Sequence, residues 1–215
     1  MYAPIPIRTE HHRVAVEAFC WSFVWTAELL GRLFPSRNPT RAAASWLNAY
    51  EHFDTVVTDV LHPEVPPRPI CECLVDEPSP DCHKLSYQLE KRWDAAVKKR
   101  TRLYWPNSIF ARCYGGRWLG SDRMPALHKA SHDLLLSAVV LVYFAQDPAI
   151  FDSWTSEREL EFRHRSGTYR GPIADGYVEI DGTPWLVEVG GLYGASMLKK
   201  KIEHAQRAGL NWNLW

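Results

Sequence analysis

The stretch from Arg170 to Lys201, RGPIADGYVEIDGTPWLVEVGGLYGASMLKKK, constrains this chain more than any other part of it. Asp181-Gly182 is a strong signal for a two-residue turn, so YVEI and PWLVEV are predicted to pair as the strands of a hairpin. Gly190-Gly191 closes the second strand, and a lysine-rich stretch continues as a helix. That arrangement brings Asp175 and Glu188 onto paired strands. Two carboxylates converging in this way, with cations nearby, suit metal-dependent hydrolysis of a phosphodiester, because a hard divalent cation takes oxygen ligands and needs an open water position. An ordinary exposed strand pair with solvated acids is the competing reading.

With 215 residues, 46% of them apolar, the chain can build one fair-sized domain or two small ones around a buried core. Its 25 basic and 25 acidic residues cancel, so any basic surface must be local. Ten tryptophans are expected mainly in the core rather than as exposed stacking platforms. The N-terminus lacks the basic-then-apolar pattern of a signal peptide, and the most apolar run, Leu134 to Ala145, is too short for a bilayer. Five cysteines without an export signal point to reduced thiols. The expectation is a soluble cytoplasmic protein with no membrane partner.

Apolar spacing from His12 to Leu33 predicts two helices broken near Phe23 to Trp25, with Thr26 as an N-cap. FPSRNP is a turn, and a third helix runs from Asn38 or Pro39 to about Phe53, with Ala42 to Ala44 offering a close approach to a neighbour. TVVTDVL, a proline-rich tip, and ICECLV then read as a second hairpin. This is the order of a winged helix-turn-helix, in which the third helix enters a DNA groove and the hairpin touches the backbone. Arg37, Asn38, Thr40, Arg41 and Ser45, together with Ser36, are the groove-facing residues in that reading, and Arg68 is the wing residue. Protein-interaction winged helices share the same order.

A helix from about Leu85 to Lys99 is predicted to end in the basic run KKRTR, where cations complement the helix dipole. RLYWPNSIFARCYGG reads as one or two strands, and a linker is expected near residues 115–124. A long buried helix occupies Pro125 to Gln146, with His128 and His132 one turn apart on one face. Thr155-Ser156 caps a helical turn, ELEFRHR reads as a strand, and Glu157, Glu159 or Glu161 is placed to offer a third carboxylate. Cys71, Cys73, Cys82 and His83 share no standard zinc spacing, although Cys71 and Cys73 fall on one face of a strand.

The succession of a winged helix, a long helix bearing His128, an acidic segment, PIAD at 172–175, LVEVG at 186–190 and a lysine-bearing helix resembles the replication-relaxation family. That family is found on plasmids and other mobile elements and includes mobilisation accessory proteins. The resemblance implies an α+β chain with a winged helix-turn-helix over residues 10–115 and a PD-(D/E)xK nuclease-like α/β domain over 124–215, possibly shortened. It makes Asp175 the first motif aspartate and Glu188 the second acid. Asp175, Glu188 and Glu159 would then hold Mg²⁺ or Mn²⁺ if the site is active. Two departures stand out: Ile173 and Ala174 separate the proline from Asp175, and Gly190 occupies the lysine position. Lys199, Lys200 or Lys201 would have to reach back and replace the cation, which helps orient the attacking water. The implied function is a DNA-binding accessory protein with a degenerate nuclease-like domain. Its expected partners are double-stranded DNA, a relaxase, replication or other mobile-element protein, and a second copy in a homodimer. A metal-dependent endonuclease and a non-catalytic protein-interaction module are the alternatives.

Overall fold

The computed structural model describes residues 3–22, 24–115 and 129–215, which form a mixed α+β structure. They divide into two compact units, each assembled from separate stretches of chain: residues 1–60 with 98–141, and residues 61–97 with 142–215. This division differs from the boundary expected near residues 115–124, because the segment around Cys71 to Asp94 folds with the C-terminal half. Most of that expected linker, residues 116–124, lies outside the described residues, as does His128.

The first unit begins with helices α1 (Glu10–Trp21), α2 (Ala27–Gly31) and α3 (Pro39–Asn48). The break between α1 and α2 holds Trp25 in an antiparallel bridge with Tyr104, closed by two backbone hydrogen bonds of 2.8 and 2.9 Å. The Thr26 side chain accepts from the Leu29 amide, so the predicted cap forms, and Asn38, read as a helix start, caps α3 by accepting from the Arg41 amide with Pro39 in the first turn.

Strand β1 (Phe53–His62) pairs with β3 (Val97–Pro106) rather than with the expected ICECLV segment, whose strand β2 (Cys71–Cys73) joins the other sheet. The run KKRTR therefore lies in a strand, not at a helix end. Its cations are solvated, whereas Leu103 farther along packs against Val24, Val60, Ala130 and Leu134. Burial of the second half of the strand fixes a conformation that charge alone had suggested was helical. Rings of Phe19, Trp25, Phe53 and Phe110 fill the same unit, with Phe19 and Phe53 centred 4.6 Å apart. A short helix α5 (Ser108–Phe110), a π-helical turn over Ala111–Gly115 and the first part of α6 (Ala130–Gln146) complete it.

The second unit is a five-stranded sheet in the order β2, β7 (Asn211–Leu214), β6 (Thr183–Glu188), β5 (Gly176–Ile180) and β4 (Thr155–Ser156). The predicted hairpin is present as β5 (Gly176–Ile180) and β6 (Thr183–Glu188), with Gly176 opposite Val187 and Ile180 opposite Thr183. The NWNLW segment supplies β7 (Asn211–Leu214), which runs parallel to β6 and antiparallel to β2. Short β4 (Thr155–Ser156) borders β5 and leads into α7 (Glu157–Arg165). That segment is a helix where alternation suggested a strand. Its acidic first turn, basic last turn and Glu159–Arg163 pair match a helix, and Leu160 supplies its buried contact.

Helices α4 (Cys82–Asp94) and α8 (Ala195–Arg207) cover one face of the sheet through Leu85, Leu89, Leu198 and Ile202, packed on Leu186, Trp212 and Leu214. Alternate residues of β7 turn to the opposite face, where the Tyr143 hydroxyl accepts from Asn213 Nδ2 at 2.9 Å and Trp215 Nε1 at 3.1 Å. Among the described residues, no helix is long and apolar enough to cross a membrane.

The hairpin turn places Asp181 at φ 51° and Gly182 at φ 73°. A Cβ at Gly182 meets no neighbour, so the cost of Gly182→Ala is backbone strain alone, roughly 1–2 kcal/mol. Urea unfolding should show that loss; a variant as stable as the parent would contradict the turn conformation.

Candidate functional site

The hairpin register brings Asp175, just before β5, beside the end of β6, where Glu188 is the last strand residue. Asp175 Oδ2 accepts from the Val189 amide at 2.7 Å, while the Asp175 carbonyl accepts from the Glu157 amide at 3.2 Å. Both carboxylate residues are nearly closed off, with Asp175 6% and Glu188 3% exposed. Burying two acids together is costly unless hydrogen bonds or opposite charge compensate.

Compensation comes from α8 and from the loop before it. Lys201 Nζ forms an ion pair and hydrogen bond with Glu188 Oε1, and the Tyr193 hydroxyl donates to the same oxygen at 3.3 Å. The ammonium also lies 5.2 Å from the centre of the Tyr193 ring. Burial, and then the neighbouring Asp175 charge, push Glu188 up to about 7, against the opposing pull of Lys201. Burial and the adjacent acids push the Tyr193 phenol up as well, so it remains a hydrogen-bond donor.

Gly190, two residues beyond Glu188, has no room for a side chain. A Cβ there would lie 2.4 Å from Leu89 Cδ2 and 3.0 Å from Leu214 Cδ1, so α4 and β7 occupy the space of any side chain. The Gly190 carbonyl accepts from the Arg92 guanidinium and from Trp93 Nε1 at 2.9 Å, which anchors α4 at that point. Lys201, one helical turn and more into α8, delivers its ammonium to Glu188 from another direction.

The other residues expected at this site fall elsewhere. Lys199 pairs with Glu203 at 3.8 Å on the exposed side of α8, and Lys200 is exposed. Both therefore yield to Lys201, because only that position of the three places its side chain toward the sheet. Glu159 is held by Arg163 within α7, so it does not complete a set with Asp175 and Glu188. The α7 residue tied to Asp175 is Glu157, through its amide, and its charge also acts on Tyr193. Tyr193 was not anticipated; a tyrosine five residues beyond the strand carboxylate, in a Gly-rich loop, was the available signal.

Among the described residues, no group of three or more His, Cys, Asp and Glu side chains is placed to hold a metal. Asp175 and Glu188 nevertheless fit Mg²⁺ or Mn²⁺ as a two-carboxylate pair, since such ions are commonly held by one or two carboxylates with water completing the shell. The upward push of Asp175 on Glu188 is the repulsion that a cation there would relieve.

In the first unit, Arg37, Asn38, Thr40, Arg41 and Ser45 are all exposed around the start of α3. Asn38 spends its side-chain oxygen on the helix cap. Arg68 is exposed in the loop between β1 and β2, in a segment that belongs to the second unit rather than to a β1 wing. The exposed cations of β3, namely Lys98, Lys99, Arg100 and Arg102, are those that flank β1, and Lys98 lies 3.8 Å from Asp59. The chain matches no family model, curated protein or solved structure in the three comparisons made.

Two outcomes follow from the packing and charge of this cluster. Gly190→Ala should destabilise the second unit by about 1–3 kcal/mol through overpacking, and in denaturant unfolding the Gly190→Ala/Leu89→Ala double variant should lose less than the sum of the two single losses. For Glu188, a folded value near 7 lies above the ordinary 4.5. Its contribution to stability is therefore fully present below pH 4.5 and is lost as pH rises through about 7. Unfolding free energies of the parent and Glu188→Gln, subtracted at each pH, should show that decline; a flat difference would contradict the buried-acid assignment.

Proposed function

We propose that this chain is a DNA-binding accessory protein of a plasmid or other mobile element, of the replication-relaxation type. Its first unit acts as a winged helix and its second as a nuclease-like domain of the PD-(D/E)xK kind. The observation that carries this reading is the meeting of Asp175, Glu188 and Lys201 at the end of the β5–β6 hairpin. Two acids and a lysine at a strand end are the groups that phosphodiester hydrolysis requires, and the lysine is recovered from a helix after the motif position closed.

The order of elements in the first unit supports the other half. Helix, bridge residue, two further helices and a strand pair is a winged-helix order, provided that the wing is β1–β3 and not the hairpin read from sequence. The solvated cations of β3 then suit contacts to phosphates, and Arg37 and Arg41 at the start of α3 suit a groove. This local charge reconciles duplex binding with a net charge of zero.

In this reading the nuclease-like domain is a binding scaffold. The support is that Glu188 is enclosed and its Oε1 is engaged by both Lys201 and Tyr193. A second reading, an active endonuclease, draws on the same Lys201. With Mg²⁺ or Mn²⁺ on Asp175 and Glu188, the cation would supply a polarised water, while Lys201 would hold that water and neutralise developing charge.

Duplex affinity of the full chain should fall steeply as salt rises, and Arg37→Ala/Arg41→Ala together with Arg100→Ala/Arg102→Ala should lower both the affinity and the salt slope. No salt-sensitive binding at low ionic strength would overturn the DNA-binding reading. Plasmid nicking in Mn²⁺ that vanishes in Asp175→Ala and Lys201→Ala would favour the endonuclease over the scaffold.

A further inference from the structure

A second cluster of reactive side chains lies apart from the acids, on the edge strand of the same sheet. Cys71 and Cys73 occupy alternate positions of β2, so their thiols share one face, and the two Sγ atoms are 3.5 Å apart in a hydrogen-bonded contact. Cys71 is partly exposed, whereas Cys73 is buried against the core that contains Leu85, Leu186 and Trp212. The two sulfurs are therefore chemically unequal: one meets solvent and the other stands behind it.

Hydrogen bonding reinforces the inequality. Contact with Cys73 holds the Cys71 thiol below the usual range despite its partial burial, while the same contact, followed by burial, pushes the Cys73 thiol up. Cys82, a third thiol in that core, contacts the Pro80 carbonyl at 3.5 Å and is pushed up by burial. An accessible thiol that ionises early beside a protected partner is the arrangement of an attacking and a resolving cysteine.

We propose that Cys71 and Cys73 form a reversible dithiol–disulfide site that exchanges with low-molecular-weight disulfides. The Cys71 thiolate attacks one sulfur of a dialkyl disulfide; that S–S bond breaks, and the departing thiolate takes a proton from water. A mixed disulfide remains on Cys71. Cys73 then loses its proton to water and attacks the Cys71 sulfur, forming the Cys71–Cys73 bond and expelling the second small thiolate, which takes a proton from water in its turn. Two protein thiols are oxidised and one small disulfide is reduced to two thiols, so electrons and protons balance. The sulfurs must close from 3.5 Å to about 2.05 Å, a distance that side-chain rotation and a modest twist of a three-residue edge strand can cover.

The test uses the full reduced chain treated with excess oxidised glutathione, followed by thiol counting and non-reducing peptide mapping. The expected result is the loss of two thiols, a bond linking Cys71 to Cys73 and no glutathione retained at either. Cys73→Ser should stop at a stable glutathione adduct on Cys71, and Cys82→Ser should behave as the parent. A parent chain that keeps glutathione on Cys71, joins either cysteine to Cys82, or modifies Cys20 and Cys113 while leaving Cys71 and Cys73 reduced would overturn the proposal. The parent map decides without any variant, so a folding defect in Cys73→Ser leaves the test intact.

Discussion

The parallel ladder between β6 and β7 is the interaction on which the second unit depends. The Trp215 amide donates to the Glu188 carbonyl, and the Gly190 amide donates to the Trp215 carbonyl, each at 2.8 Å. These bonds fix the backbone on both sides of Val189, whose amide in turn holds Asp175. Without β7, the end of β6 would lose its partner, and the two carboxylates would lose the frame that keeps them adjacent. β7 also separates β2 from the hairpin, so the sheet exists as a single sheet only through those last buried residues. Position and charge at the site are thus set by backbone bonding first and by side-chain contacts second.

Around that frame, the site is a compromise between packing and electrostatics. Closing the Gly190 position lets Leu89 and Leu214 meet the strand end directly, while Arg92 and Trp93 satisfy the buried Gly190 carbonyl. The same closure removes the nearest place for a cation, yet a buried pair of acids needs one. Lys201 meets the need from α8, where Leu198, Ile202 and Ala205 already bind the helix to the sheet. A lysine one position earlier or two positions earlier on that helix points away, as Lys200 and Lys199 do. Helical periodicity therefore decides which of three consecutive lysines belongs to the site.

Local chemistry was the legible part of the sequence. The Asp181-Gly182 turn, the Thr26 cap and the alternation of YVEI announce themselves within a few residues, and each forms as read. The acids Asp175 and Glu188 followed from the hairpin register. Long-range pairing was not legible: β1 has a neighbour within twenty residues that looks suitable, but β3 takes its place and β2 crosses to β7. Nothing local distinguishes these choices, since all three segments carry strand-forming residues, and the decision rests on which core each can enter. Glu159 and Lys199 or Lys200 were misplaced for a related reason. Spacing along a helix names a face only once the packed face is known.

The excursion of residues 61–97 into the second unit has a consequence for the order in which the protein is made. β2 and α4 emerge early in synthesis, yet the strand that pairs with β2 begins at Asn211 and the helix that packs against α4 begins at Ala195. The nascent chain must therefore carry an unpaired CEC strand and the apolar face of α4 until the segment from Ala195 to Leu214 has appeared. Meanwhile β1 and β3 sit at the two ends of that waiting segment, and their pairing closes a loop around it. Pairing of β1 with β3 would therefore tether that segment at both ends while its own strand and helix partners are still to come.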